Sequence, residues 1–222
     1  MEPCHDESEK MKKIVILGAG GQVAQWVIRA LAGREDIALT LLLRNPAKLF
    51  TPVPANAAVL AGDVLDQALL RQTMPGHDVV YANLVGDDME DQANGIIAAM
   101  HASHVDRLIF VLSMGIYDEV PGKFGEWNNA RLEEHLKPFR RAADAIEASG
   151  LAYTIVRPAW MTDEDEVDYE LTTRHAPFKG TVVSRKSVAD LIASIIEAPE
   201  LHLHANLGVN KPNTDGDKPY FM

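Results

Sequence analysis

The chain has a single cysteine, Cys4, among its 222 residues. One thiol excludes an internal disulfide framework and sets the expectation of a reducing, cytoplasmic setting. Basic residues are also scarce: 21 Lys and Arg stand against 32 Asp and Glu, a formal charge of -11. Nucleic acids and anionic membranes need a basic footprint, so neither is expected as a partner. No apolar run approaches the ~18–20 residues of a membrane helix. The opening MEPCHDESEK lacks the basic start and apolar stretch of a secretory signal, and residues 1–11 are expected to be a disordered head. Metal-ligand patterns are missing too. His202 and His204 alternate without cysteine partners, and the acidic run from Asp163 to Asp168 lacks calcium-loop spacing, so that run reads as a solvated loop and no metal site is expected.

What is present is organised around IVILGAGGQVAQ, Ile14 to Gln25. Ile14 to Leu17 reads as a buried strand that runs directly into a glycine-rich turn. A helix follows, with Val23, Trp26, Val27, Ala30 and Leu31 at helical spacing. Strand, glycine turn and helix start, in that order, suit a dinucleotide pyrophosphate. Gly18 permits the tight turn, and Gly20 or Gly21 lets backbone approach the phosphate. The helix then offers free N–H groups and its positive dipole end.

The alternation continues along the chain. Strands are expected at Ile37 to Leu43, Ala57 to Ala61, His77 to Ala82, Arg107 to Leu112 and Ala152 to Val156. A short strand near Gly180 to Ser184 and an extended piece, Ala205 to Val209, come last. Helices fall at Val64 to Met74, Asp88 to His104, Asn129 to Ser149 and Lys186 to Glu197, with a short one around Ala47 to Phe50. Pro138 marks a start or a kink within the third long one. Tyr117 to Asn128, rich in Gly, Pro and aromatics, reads as a loop, and residues 211–222 as a polar tail. With 47% hydrophobic residues, the length suits one α/β domain, residues 12–210, built on a doubly wound parallel sheet with right-handed crossovers. The apolar helix faces serve a core or a dimer equally, so the oligomeric state stays open.

The motifs GAGGQVAQ, LLLRNPAKL, GDVLD, VYANLVG, VLSMGIYD and SGLAYTIVRPAWMTD, in this order, resemble the NAD(P)H-binding atypical short-chain dehydrogenases. The similarity is to the NmrA-like branch, which includes the biliverdin reductase B/flavin reductase type, and it covers roughly Lys12 to Val209. It implies a Rossmann domain with strand order 3-2-1-4-5-6-7 and a small C-terminal substrate lobe. The pattern GxxGxxG falls on Gly18, Gly21 and Ala24, so Gly20, Gly21, Gln22 and Val23 would line the pyrophosphate.

Arg44 ends the second strand, where an NAD-specific site carries an acid for the ribose 2′-OH. An arginine there pairs instead with the 2′-phosphate of NADP, with Lys48 one turn on, so NADP(H) is expected over NAD(H); a surface arginine at a turn is the plainer alternative. The resemblance puts Asp63 at the adenine edge with Val64 on the ring, while a cap for the next helix is equally natural for Asp63. Asn83, with Ala82 and Leu84, would lie against the ribose and pyrophosphate, or Asn83 is a turn residue. Pro158, Ala159 and Trp160 correspond to the loop that frames the nicotinamide, mainly through backbone. Trp160 and Met161 wall the substrate pocket or fill the core.

Short-chain dehydrogenases combine Ser, Tyr and Lys. Ser113 matches the serine, but the Tyr and Lys positions hold His135 and Phe139. Tyr117 and His135 are the remaining side-chain proton donors, His135 being otherwise a surface histidine. Two functions follow: an oxidoreductase passing hydride from NADPH to a small carbonyl, quinone or flavin-like acceptor, or a non-catalytic NADP(H)-binding regulator that reports redox state to a protein partner.

Overall fold

The computed structural model describes residues 11–222; the head expected at 1–11 lies outside them apart from Met11. Strand β1 is Lys12–Leu17, and its Ile14, Val15, Ile16 and Leu17 are fully buried on both faces. That burial is what a central parallel strand covered by two helix layers requires. Around it run β2 (Ile37–Leu43), β3 (Ala57–Ala61), β4 (Val79–Ala82), β5 (Arg107–Val111), β6 (Ala152–Pro158), β7 (Trp160–Thr162), β8 (Glu170–Thr173), β9 (Val182–Ser184) and β10 (Ala205–Asn210). Eight of them form one sheet in the order β3-β2-β1-β4-β5-β6-β10-β8.

The helices are α1 (Gln22–Ala30), α2 (Gln67–Thr73), α3 (Met89–Ala102), α4 (Gly122–Ala148) and α5 (Arg185–Glu197). Alternate residues of β1 divide between two cores. Ile14 and Ile16 join Val27 of α1 and Ile192 of α5, whereas Val15 and Leu17 join Leu70, Ile96 and Ile146 of the other three helices. The result is the doubly wound α/β layering that the alternation predicts. Helix α2 begins at Asp66, whose carboxylate accepts from the N–H groups of Ala68 and Leu69, both at 3.0 Å. Asp66→Ala should lose about 1 kcal/mol of stability, read in a thermal melt as a fall of about 2–4 °C for a chain of this size.

Four expectations need correction. The sheet is not wholly parallel: the chain reverses between β7 and β8, and β8 enters the edge antiparallel to β10. β7 and β9 pair as a separate two-stranded sheet, and neither ELTT nor WMT has the apolar alternation that announces a strand. Residues 122–128, read as loop, are the first two turns of α4, because Pro121-Gly122 opens the helix instead of interrupting chain. Gly122 takes φ +63° there, and the helix then continues through a buried Pro138. The acidic run is not merely solvated: Asp163 pairs with Arg185, Asp165 with Lys186, and Glu166 with Lys211. The polar tail is held at Thr214, whose carbonyl oxygen accepts from both Thr181 N and Thr181 Oγ1.

At the amino ends of the strands, Arg107 ties β5, β6 and the segment after α5 together. All five of its N–H donors are used, on Pro199 O, Leu108 O, Ala152 O, Thr154 Oγ1 and Leu201 O. Burial lowers its pKa to about 10, so it stays charged at neutral pH.

Candidate functional site: a glycine-lined cleft at the strand ends

Strands β1 and β4 are neighbours although β2 and β3 intervene in sequence, so the winding direction reverses between them. Open α/β sheets bind ligands outside the carboxyl ends of strands at such a switch point. Here the two strand ends interlock. Gly18 takes φ +76°, and an added Cβ would collide with the Asn83 carbonyl oxygen. A Cβ on Gly21 would collide with the Asn83 side-chain amide, and one on Gly20 would stand 3.2 Å from Leu43 and Lys48. The turn is closed by Gly21 N donating to Gly18 O at 2.9 Å. Gly21 is also the N-cap of α1 and supplies no side-chain cap, so the first N–H groups of the helix are left to an anion.

The cleft above this cradle encloses about 440 Å³. Gly18, Gly20, Gly21, Arg44, Asp63, Val64, Asn83 and Leu84 line it, with Asn45, Lys48, Gly86, Asp88 and Gln92. Asn45 accepts from Ala47 N at 3.1 Å and starts the short 3-10 turn Pro46–Lys48 that brings Lys48 to the wall. The Arg44 side chain is 77% exposed, and its nearest carboxylate oxygen, on Asp63, is 4.0 Å away, beyond hydrogen-bond reach. Asp63 accepts from Leu65 N, while the cap of α2 is Asp66, so Asp63 stays on the cleft wall and does not start the helix.

Other expected residues fall around the cleft and not on its lining. Gln22 is exposed at the start of α1, and Val23 and Ala82 are buried beneath the turn. Ser113 follows β5, half-buried, and its hydroxyl donates to Met114 O at 3.1 Å. Pro158 and Ala159 are buried. Ala159 N donates to Val209 O and Trp160 N to Thr181 O, so both of these N–H groups are taken within the fold. The Trp160 indole donates to Asn128 Oδ1 at 3.0 Å.

Tyr117 lies elsewhere. Its hydroxyl donates to Glu147 at 3.1 Å and accepts from Asn206 at 2.8 Å. Its ring sits among the guanidinium groups of Arg140 and Arg174, 4.6 and 4.4 Å from the centroid. Burial first, then the Glu147 charge, pushes the phenol above its ordinary value. Tyr117 therefore lines a second cavity, of about 480 Å³, with Glu119, Arg140, Arg174 and His175. His135 is 69% exposed on α4, with Nδ1 3.6 Å from Asp87. Sequence reasoning missed Asn128, because it lay in the stretch read as loop; its spacing of four from Phe124 was the available signal.

A glycine cradle, an uncapped helix start and a basic wall at the switch point define a dinucleotide-binding protein of Rossmann type. The chain belongs to the NAD(P)H-binding family, whose model matches residues 18–199. It is 59% identical to a Rossmann-fold NAD(P)-binding family protein of Shigella flexneri, over 96% of this chain and 100% of that one, with a TM-score of 0.84. A short-chain dehydrogenase/reductase of Veillonella parvula, solved in complex with NADP, is 28% identical over 95% of this chain and 99% of its own, with a TM-score of 0.88. An isoflavone reductase homolog of Nicotiana tabacum is 30% identical over 168 residues, 70% of this chain and 50% of that protein; the chain thus matches half of that relative's length.

Proposed function

We propose that this protein is an NADPH-dependent oxidoreductase of the NmrA-like atypical short-chain dehydrogenase branch. It would act in the cytoplasm on a small carbonyl, quinone or flavin-like acceptor. One observation carries the reading: a cradle that admits no Cβ at Gly18 or Gly21 opens beside Arg44 and Lys48, with arginine in place of an acid at the end of β2. A fork-shaped guanidinium and an ammonium favour a 2′-phosphate, hence NADP(H) over NAD(H). The NADP bound to the Veillonella relative supports this preference, and the partial match to an isoflavone reductase homolog supports reduction.

Bound NADPH supplies the hydride. The chain does the holding and orienting. The Gly18 to Gly21 turn and the backbone N–H groups of Gln22 and Val23 at the α1 start would take the pyrophosphate, Asp63 and Val64 would flank the adenine, and Asn83 and Leu84, with Ala82 buried beneath them, would support the ribose side. Pro158, Ala159 and Trp160 face the nicotinamide end, and Ser113 orients the acceptor. Tyr117 already donates to Glu147, so His135, open to solvent, is the side chain left to relay a proton. The second reading, a redox-sensing regulator with a protein partner, is favoured by His135 and Phe139 standing where Tyr and Lys would be.

Titration with NADPH and NADH tests the cofactor. Wild type should prefer NADPH by about tenfold or more, and Arg44→Glu should abolish that preference, since a charge-assisted pair is replaced by repulsion. Equal binding of both cofactors, unchanged in the variant, would return Arg44 to the role of a surface residue. Steady NADPH consumption with quinone or flavin acceptors then separates reductase from regulator.

A further inference from the structure

The cavity beside Tyr117, about 480 Å³ in volume, shares no lining residue with the glycine-lined cleft. It lies between the stretch from Tyr117 to Pro121 and the turn after β8, Arg174 to Pro177, with Arg140 of α4 as a further wall. The cofactor and acceptor roles proposed above fall to none of its residues.

Two arginines set its chemistry. The guanidinium carbons of Arg140 and Arg174 both stand within 4.6 Å of the Tyr117 ring centroid, so one small ligand can reach both. Stacking on the ring limits their motion. Each is also tethered by a carboxylate of α4. Arg140 Nε donates to the two oxygens of Asp144, at 2.9 and 3.0 Å, and Arg174 Nη1 donates to Glu147 at 2.6 Å.

These tethers leave donors over. Arg174 keeps Nε and Nη2, which have no acceptor among the described residues and are not buried. Their N–H groups form one edge of the guanidinium and point the same way. Arg34 uses that edge on Asp36, with Nε and Nη2 each 3.0 Å from a carboxylate oxygen. In Arg174 the same fork is open, on a side chain that lines the cavity and is 33% exposed. Arg140 Nη2 is likewise without an acceptor among the described residues.

Such a fork fits two oxygens of an oxyanion, and the local charge decides which oxyanion. The guanidinium groups of Arg140, Arg157 and Arg174 surround the ring, and the carboxylates of Asp118, Glu119, Asp144 and Glu147 stand among them. A phosphate dianion would add two negative charges to a cluster with no cationic excess. A carboxylate adds one, and its plane matches the fork. Glu119 does not compete for Arg174, because its oxygens are taken by Arg157, Gly115 N and Tyr117 N. Asp118 is exposed, so solvent and salt screen its charge. Pro121, Ala176 and Pro177 offer apolar wall to the rest of a ligand.

We propose that this cavity binds the carboxylate of a small organic acid with an apolar body, held side-on by Arg174 with Arg140 beside it. The site does not depend on the reductase reading.

The test titrates benzoate and its neutral isostere benzamide, by calorimetry, into protein saturated with NADP to keep the glycine-lined cleft filled. Benzoate should bind about tenfold tighter than benzamide, the size of a charge-assisted hydrogen bond at a partly exposed site. Arg174→Gln should bring that ratio close to one. Arg174→Lys can still meet Glu147 but has no fork, so it should keep only part of the ratio. The lysine variant decides the question if circular dichroism shows that the glutamine variant does not fold. Inorganic phosphate should bind more weakly than benzoate. Equal affinity of acid and amide in wild type, binding of neither below about 10 mM, an unchanged ratio in the Arg174 variants, or tighter binding of phosphate would overturn the assignment. So would a preference for benzoate that appears only when NADP is left out, since the acid would then sit in the cofactor cleft. A protein that takes up no NADP yet prefers benzoate through Arg174 would sink the cofactor reading and leave this site standing.

Discussion

Glu119→Ala should destabilise the fold by about 3–5 kcal/mol, the cost of breaking a buried ion pair from one side. The Arg157 side chain is 0% exposed and that of Glu119 5%, and the two are directly paired. Removing the carboxylate leaves a buried guanidinium that still donates to Asn206 but whose Nη2, with its two N–H groups, is already without a partner. Burial lowers the Arg157 pKa, and the Glu119 charge is the main influence opposing that shift. The same carboxylate accepts from Gly115 N and Tyr117 N, both at 2.9 Å. It therefore anchors the turn that follows Ser113. Urea denaturation of wild type, Glu119→Ala and Glu119→Gln measures the effect. The glutamine variant should recover part of the loss, because its amide oxygen can still accept one of these bonds. A loss below about 1 kcal/mol for the alanine variant would mean that Arg157 finds water or another acceptor.

The largest expected effect on ligand binding is that of Gly18→Ala. Two penalties coincide at this position. A non-glycine residue at φ +76° costs about 1–2 kcal/mol in backbone strain. The new Cβ also meets a backbone carbonyl, that of Asn83, which cannot swing aside as a side-chain tip would. The turn must then withdraw from β4, and NADPH affinity should fall by about a hundredfold or more, as expected when backbone donors to an anion are displaced. Gly33→Ala separates the two penalties. Gly33 has nearly the same φ, +74°, with nothing within 4 Å of its added Cβ. That variant should lose stability from strain alone and keep its NADPH affinity. If Gly18→Ala bound NADPH as wild type does, the glycine cradle would not be the pyrophosphate site.

Continuous apolar runs made the sheet legible, both for β2, most of it buried, and for the edge strand β3, which is half-buried or exposed. Ile37–Leu43 and Ala57–Ala61 occur with the expected limits, because continuous apolar runs bounded by Asn-Pro or Gly-Asp admit few other readings. The lobe beyond β6 was less legible. WMT and ELTT are too short to show a period, and their strand state depends on partners distant in sequence, β9 and β10. Pro121-Gly122 misled for a different reason: both residues punctuate chain, yet a proline and glycine before an amphipathic stretch also begin helices. In the site, the glycines, Arg44, Asp63 and Asn83 were readable because each ends a strand of the parallel sheet. Asn128 was not, since its role comes from bonding to Trp160. Tyr117 shows the converse, a residue close in sequence to Ser113 that the fold turns away toward Glu147 and Asn206.

The pairing of the acidic run gives the last dozen residues a mechanical role. Lys211 reaches Glu164 and Glu166, and Tyr220 donates to Glu164. Lys211 N also donates to Val182 O on β9, the partner of the strand that carries Trp160. Tension applied at Tyr220 is thus carried toward Trp160 through two hydrogen-bonded strands and a row of opposite charges. Salt, which screens those charges, should loosen the same route.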